Sequence, residues 1–210
     1  MKVLKVALTG GIATGKSVIS KYLESKGCYL CYSDQLAHKL MEPGNFAWGK
    51  IVDYFGESII LPDKRIDRKK LGEIVFSSEK DRMFLNNLLH PLVLKEKKRI
   101  IEELERSEKA KIFVSEAALT IEAGFHGFYH RIIVAHAPLE VRLKRLMERD
   151  RIDEELAIKK IKSQLPNEEK LKYAHYIIDT SGSIKETVKW TARVFKALMK
   201  DWEVINKGDP

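Results

Sequence analysis

Apolar residues occur along the chain in short runs that are separated by longer segments with helical spacing. Short apolar runs bounded by turn or charged residues predict five β-strands, at Leu4 to Thr9, Tyr29 to Tyr32, Ile112 to Ser115, Arg131 to Ala135 and Tyr176 to Asp179. Amphipathic helical patterns fill the intervals. This alternation of strand and helix predicts an α/β fold, a three-layer sandwich in which helices cover both faces of a five-stranded parallel sheet.

Two intervals are too long to be simple crossovers. From Asp34 to Ala110 the pattern is almost wholly helical, so we expect a helical lobe inserted after the second strand. From Val141 to Leu171 the chain is rich in Arg and Lys and breaks at Pro166, which suits a helical lid. The predicted divisions are a core of residues 1–33, 111–140 and 172–205, a lobe of residues 34–110, and a lid of residues 141–171.

The charge balance points to an anionic partner. The 210 residues carry a formal charge of +8, which is compatible with a polyphosphate or with nucleic acid. Basic residues are spread along helical segments without interleaved aromatic residues, as expected for solvated helix faces. No run of 18 apolar residues occurs, so we expect no membrane span. The only cysteines, Cys28 and Cys31, are predicted to be buried, reduced thiols, and the expected location is the cytoplasm.

The strongest chemical signal is the segment from Gly10 to Ser17, GGIATGKS, which fits the GxxxxGKS pattern of a phosphate-binding P-loop. It follows an apolar run and opens a helical segment, as a P-loop requires. Glycines let the backbone approach phosphates, and the helix N-terminus supplies partial positive charge. Lys16 is expected to reach the β- and γ-phosphates of a nucleotide, and Ser17 to bind Mg²⁺. The candidate nucleotide-binding residues are Gly11, Ile12, Ala13, Thr14, Gly15, Lys16, Ser17 and Val18.

Three further features have two interpretations each. Asp34 follows the second strand and could orient an acceptor alcohol, or it could cap the helix that starts there. Arg142, Arg145 and Arg149 share one helix face, which could neutralise a triphosphate or form an exposed basic stripe. Glu116 ends the third strand and could contact Mg²⁺ through water, or it could be a plain strand-end carboxylate.

The chain resembles the dephospho-coenzyme A kinase family from Val6 to about Gly182. The matching segments are ALTGGIATGKS at Ala7 to Ser17, SDQLAHKLMEPG at Ser33 to Gly44, IDRKKLGEIVF at Ile66 to Phe76, His90-Pro91, RLMERD at Arg145 to Asp150, Gln164, and AHYIIDTSG at Ala174 to Gly182. Together these segments are more specific than the P-loop alone. Tyr32, His38 and Thr180 stand where the family usually has Asp, Arg and Asn.

The resemblance implies a P-loop kinase with a nucleotide-binding core, a helical coenzyme A-binding lobe and a lid. Its implied activity is transfer of the γ-phosphoryl group of ATP, with Mg²⁺, to the ribose 3′-hydroxyl of dephospho-coenzyme A. Asp34 then becomes the catalytic base, acting with Lys16. Arg145 and Arg149 are implied to face the phosphates. His38, Arg68 and His90 are implied to bind the acceptor, although His90 could equally be a structural residue at a helix junction.

Other functions remain open at this point. A nucleoside monophosphate kinase would share the loop and the lid, but the long helical insertion favours a larger acceptor. A P-loop ATPase stimulated by nucleic acid is supported only by the net charge, because no helix-turn-helix, zinc pattern or aromatic strip is present. We therefore expect a small-molecule substrate, no nucleic acid or membrane partner, and a monomer.

Overall fold

The computed structural model describes residues 1–207, and the chain divides into two compact units. One unit comprises Met1–Tyr32 and the chain from Ile101 onward, and the other comprises Ser33–Ile100. The elements of the first unit are β1 (Leu4–Thr9), α1 (Lys16–Ser25), β2 (Tyr29–Tyr32), β3 (Ile112–Glu116), β4 (Arg131–His136), α6 (Leu139–Asp150), α7 (Glu154–Lys162), α8 (Asn167–Leu171), β5 (Tyr176–Asp179) and α9 (Ile184–Asn206). The other unit contains α2 (Ser33–Leu40), α3 (Phe46–Phe55), α4 (Arg68–Ser77) and most of α5 (Glu79–Ser107).

The five strands form one parallel sheet in the order β2-β3-β1-β4-β5, which confirms the predicted fold class. Three strands have the predicted bounds, while β3 and β4 each extend one residue further, to Glu116 and His136. Parallel pairing supplies the reason, because Glu116 aligns with Leu8 and His136 aligns with Asp179. A polar residue can therefore end a strand that local hydrophobicity alone would have ended earlier.

The core of the first unit lies between the sheet and two helices. Alternate strand residues such as Leu4, Val6 and Ile133 pack in one cluster with Ile19 of α1 and Leu198 of α9. The strand residues of opposite orientation are also fully buried, including Ala7, Phe113 and Val134. Burial on both faces is typical of parallel sheets and explains why these strands are nearly continuous apolar runs.

The carboxyl end of the sheet brings together several polar residues that are distant in sequence. β1 leads into the P-loop, β3 ends at Glu116, β4 ends at His136 and β5 ends at Asp179. The strand order changes direction around β1, since the chain builds β2 and β3 on one side before adding β4 and β5 on the other. Ligands of open α/β sheets bind at such a switch point.

The second unit is mainly helical and has its own small core. Ala47 and Ile51 of α3, Leu71 of α4 and Leu89 of α5 pack in one cluster. The alternative interpretation of His90 as a residue at a helix junction is wrong, because α5 continues without interruption through Pro91. Pro91 is exposed, so the backbone hydrogen bond that proline removes is lost on the solvent side, where water can replace it.

The prediction of buried thiols is confirmed. Cys28 and Cys31 are both buried thiols, and burial raises the pKa of Cys28 to about 12. Helix α9 begins with Ser183 as N-cap and Glu186 in a capping box. Among residues 1–207, the structure has no helix with the length and hydrophobicity needed to cross a membrane.

Candidate functional site

The P-loop runs from Gly10 to Gly15 and joins β1 to the N-terminus of α1. Gly10 has a φ of 144°, and a Cβ atom there would lie 2.5 Å from the carbonyl oxygen of Ala135. Gly15 is the N-cap of α1 with a φ of 77°. Both positions thus require glycine, the first for close packing against β4 and the second for a left-handed turn into the helix.

The two residues with predicted phosphate and metal roles open helix α1. The ammonium group of Lys16 donates hydrogen bonds to the carbonyl oxygens of Gly10, at 3.0 Å, and Gly11, at 3.1 Å. Lys16 therefore extends back along the loop, over the region where the helix N-terminus directs its first N–H groups. Ser17 is exposed, so its hydroxyl is accessible to a ligand.

The first half of the loop is held by side chains of the 141–171 segment. The N–H of Gly11 donates to Oδ1 of Asn167 at 2.9 Å, and the N–H of Ile12 donates to Oε1 of Gln164 at 2.9 Å. Gly11 and Ile12 were both predicted to bind nucleotide, yet here their N–H groups bind the protein itself. Sequence reasoning missed Asn167, whose only signal was its place directly after the helix-breaking Pro166.

The three arginines of α6 have different surroundings. Arg142 is buried and donates from Nε to the carbonyl oxygen of Ile12 at 3.0 Å, and burial lowers its pKa, partly offset by the charge of Glu168. Arg145 donates to the carbonyl oxygen of Thr180 at 2.6 Å.

Arg149 is more exposed than the other two and donates to Asp150 at 2.8 Å. A shared helix face therefore does not give the three residues a shared environment. Arg142 contacts the P-loop directly, at Ile12. Arg145 is linked to the loop through Thr180, which donates from Oγ1 to the carbonyl oxygen of Thr14 at 2.8 Å.

The carboxylate of Glu116, at the end of β3, contacts the same helix that carries Ser17. It accepts a short hydrogen bond from the hydroxyl of Ser20, one turn after Ser17 on α1. Within residues 1–207, no three His, Cys, Asp or Glu side chains cluster as metal ligands. The hydroxyl of Ser17 and the carboxylate of Glu116 nevertheless fit Mg²⁺, which in P-loop proteins binds mainly a hydroxyl, phosphate oxygens and water.

The predicted acceptor residues lie in the helical unit. Asp34 is exposed in the first turn of α2 and is not its N-cap, because α2 already begins at Ser33. His90 is half-buried in α5, and burial lowers its pKa.

His38 and Arg68 lie together, with Nη1 of Arg68 2.8 Å from Nδ1 of His38. Burial lowers the pKa of His38, and Arg68 lowers it further. Since a guanidinium can only donate, Nδ1 accepts this hydrogen bond and the ring proton is on Nε2.

His38 and Arg68 also line a cavity of about 340 Å³ within this unit. Its charged lining consists of Arg65, Arg68 and Lys69 against the single carboxylate of Glu42, so positive charge is in excess. Arg65 forms an ion pair with Asp63 at 2.6 Å. The other cationic groups that line the cavity are Arg68 and Lys69. A cavity of this charge is suited to an anionic group such as a phosphate.

A parallel sheet with a P-loop after its central strand, and with arginines of a following helix beside that loop, defines the class of P-loop kinases. The family model described as dephospho-CoA kinase matches residues 4–186 of this chain. The dephospho-CoA kinase of Carboxydothermus hydrogenoformans is 40% identical over 198 residues, covering 94% of this chain and 96% of its own. That of Aquifex aeolicus is 36% identical, with coverage of 94% and 98%.

A solved structure agrees with these sequence matches. The dephospho-CoA kinase from Campylobacter jejuni superposes with a TM-score of 0.70 and 32% identity, covering 94% of this chain and 98% of that one. The chain belongs to the dephospho-CoA kinase family.

Proposed function

We propose that this protein transfers the γ-phosphoryl group of ATP to the ribose 3′-hydroxyl of dephospho-coenzyme A, the last step of coenzyme A synthesis. The products are coenzyme A and ADP. The observation that carries this proposal is a family match over residues 4–186 that includes an intact P-loop, with Lys16 and Ser17 at the start of α1. The cationic cavity at His38 and Arg68 supports an acceptor that contains phosphate groups.

On the donor side, the P-loop backbone and Lys16 hold the phosphates of ATP. Lys16 is already directed along the loop toward Gly10 and Gly11, so it can exchange carbonyl oxygens for phosphate oxygens with little movement. Ser17 supplies a hydroxyl to Mg²⁺, which would neutralise charge on the β- and γ-phosphates. Glu116 can accept a hydrogen bond from water bound to that ion.

On the acceptor side, Asp34 orients the 3′-hydroxyl and accepts its proton as the phosphoryl group is transferred. Its exposure in the first turn of α2 leaves the carboxylate accessible to a substrate. Arg145 and Arg149 of α6, in the segment predicted as a lid, stabilise the charge on the transferring phosphoryl group. His38, Arg68 and His90 bind the remainder of the acceptor.

A comparison of acceptors tests the proposed function. With Mg·ATP, we expect kcat/KM for dephospho-coenzyme A to exceed that for AMP and other nucleoside monophosphates by at least about 10², because the helical unit contacts parts that a mononucleotide lacks. Product formation is measured by coupled ADP release and confirmed by mass spectrometry. Equal or better turnover of nucleoside monophosphates would assign the chain to that class of kinase instead.

Arg68→Gln is expected to raise KM for dephospho-coenzyme A by about tenfold, because a charge-assisted hydrogen bond to a phosphate is lost. KM for ATP should change less than about twofold. Adenosine has the 3′-hydroxyl but no phosphate, so its weak turnover should be insensitive to the substitution. The measurement is steady-state kinetics with each acceptor varied at saturating ATP.

Arg82→Gln is the matched control for Arg68→Gln. Arg82 is an exposed arginine of the same unit, and its ion pair with Glu79 is 3.7 Å long. Arg82→Gln should leave the KM values for dephospho-coenzyme A, ATP and adenosine unchanged. If Arg68→Gln affects adenosine and dephospho-coenzyme A equally, Arg68 does not bind a phosphate of the acceptor.

Three aspects of the proposal depend on the sequence alone. We propose that the protein acts as a monomer on this small molecule, in the cytoplasm and without a nucleic-acid partner. Analytical ultracentrifugation and the effect of added RNA or DNA on ATP hydrolysis test the first and last of these.

A further inference from the structure

Helix α8 is short, but it contacts the loops or ends of three neighbouring strands. Its buried Lys170 donates to the carbonyl oxygen of Ala118 at 2.6 Å and pairs with Glu122 at 2.7 Å, both in the loop after β3. Its first residue, Asn167, contacts Gly11 after β1 and His136 at the end of β4. The helix thus fixes Asn167 at the centre of the carboxyl edge of the sheet.

Backbone groups determine the orientation of the Asn167 amide. Asn167 is 1% exposed, and its Oδ1 must face the N–H of Gly11, which can only donate. Its Nδ2 then faces the carbonyl oxygen of Ala135, at 3.5 Å, and Nδ1 of His136, at 2.9 Å. Since the amide nitrogen can only donate, Nδ1 of His136 accepts and the proton of the neutral ring is on Nε2.

This arrangement requires an unprotonated Nδ1. When the imidazole of His136 takes up a proton there, two donors face each other and the hydrogen bond to Asn167 is lost. The other charged groups at this edge of the sheet are Asp179 of β5 and Arg145 of α6. His136 and Arg145 both contribute to the lowered pKa of Asp179, after its hydrogen bonds from Ser181.

We infer that Asn167 is a positioning residue of the nucleotide site, which holds the P-loop through Gly11 and is itself oriented by neutral His136. ATP binding is then strongest when His136 is unprotonated. The inference rests on the proposed function only in taking ATP as the ligand of the P-loop. It concerns a contact of this loop with the rest of the chain, and no step of the phosphoryl transfer passes through it.

The test is the affinity for Mg·ATP, measured by titration calorimetry without acceptor between about pH 5.5 and pH 8.5, a range in which imidazoles titrate. Terminal phosphates also titrate in this range, so each variant is compared with the unsubstituted protein in the same buffer. We expect Asn167→Leu to weaken binding by about five- to tenfold at high pH, because the N–H of Gly11 loses its partner. The difference from the unsubstituted protein should shrink as the pH falls.

Asn167→Asp is the more informative variant. One carboxylate oxygen can still accept from Gly11, while the other attracts a protonated His136. The ratio of its dissociation constant to that of the unsubstituted protein should therefore fall by about tenfold from high to low pH. A purely structural defect would give a ratio independent of pH.

Two further variants complete the experiment. In His136→Gln an amide oxygen can accept from Asn167 but cannot titrate, so the pH dependence due to this contact should disappear. His126→Gln, at an exposed histidine, should behave like the unsubstituted protein. Circular dichroism melts establish that each variant is folded at the assay temperature.

The outcomes separate the two proposals. If the pH profiles of Asn167→Asp and His136→Gln match that of the unsubstituted protein, the inference about Asn167 is wrong. If instead the profiles differ as expected but dephospho-coenzyme A is not phosphorylated, the inference stands and the proposed acceptor is wrong.

Discussion

Replacing Asp34 by Asn should lower kcat for dephospho-coenzyme A by at least about 10², the contribution of a general base to proton transfer. The amide keeps the size and exposure of the side chain but cannot accept the hydroxyl proton. KM for ATP should change less than about twofold, because Asp34 is assigned to the acceptor. Single-turnover kinetics at saturating substrates would separate the chemical step from product release.

The control for this substitution is Asp53→Asn, at an exposed aspartate of α3 in the same unit. It should leave kcat unchanged. Asp34 also lies in the first turn of α2, where a carboxylate stabilises a helix by about 0.3–1 kcal/mol. A thermal melt of Asp34→Asn therefore checks that lost turnover does not reflect unfolding, and full turnover in a folded variant would exclude the catalytic role.

Replacing Lys16 by Met should reduce kcat/KM for ATP by about 10³, because the positive charge that stabilises the transferring phosphoryl group is removed. The substitution retains most of the aliphatic chain. It removes the ammonium that donates to the carbonyl oxygens of Gly10 and Gly11. The measurement is initial-rate kinetics with ATP varied, together with calorimetric ATP affinity.

Lys21→Met is the matched control, since Lys21 is an exposed lysine on the same helix α1. Its kinetics should equal those of the unsubstituted protein within about twofold. Activity of Lys16→Met close to that of Lys21→Met would mean that Lys16 does not contact the phosphates, and the donor site would have to be reassigned.

The strands and the P-loop could be predicted because their signals are local. A parallel strand buried on both faces must be apolar throughout, as Val6 to Leu8 and Ile132 to Val134 are. The P-loop requires glycine at Gly10 and Gly15 because the backbone has a positive φ at both positions. The GxxxxGKS spacing makes this requirement visible in the sequence. The order of the strands was not predicted, because neighbours such as β1 and β4 are joined only across long intervals.

Rules based on local sequence gave the wrong expectation where the tertiary surroundings of a residue changed its effect. Proline usually ends a helix, but Pro91 is exposed within α5, where the missing hydrogen bond costs little. The arginines of α6 recur on one face, yet Arg142 is buried against the P-loop and Arg149 is exposed beside Asp150. Helical spacing gives the direction of a side chain but not the partner that it meets.

By itself the sequence determined the class of fold, the phosphate-binding loop and the resemblance to a kinase family, since each depends on residues adjacent in the chain. The tertiary structure alone decided what holds that loop: Gly11 and Asn167 are separated by 156 residues, and their hydrogen bond forms only because α8 packs beside β4. Such a contact depends on the positions of whole helices and strands, which are fixed by packing of the core. No local pattern of residues can therefore predict it.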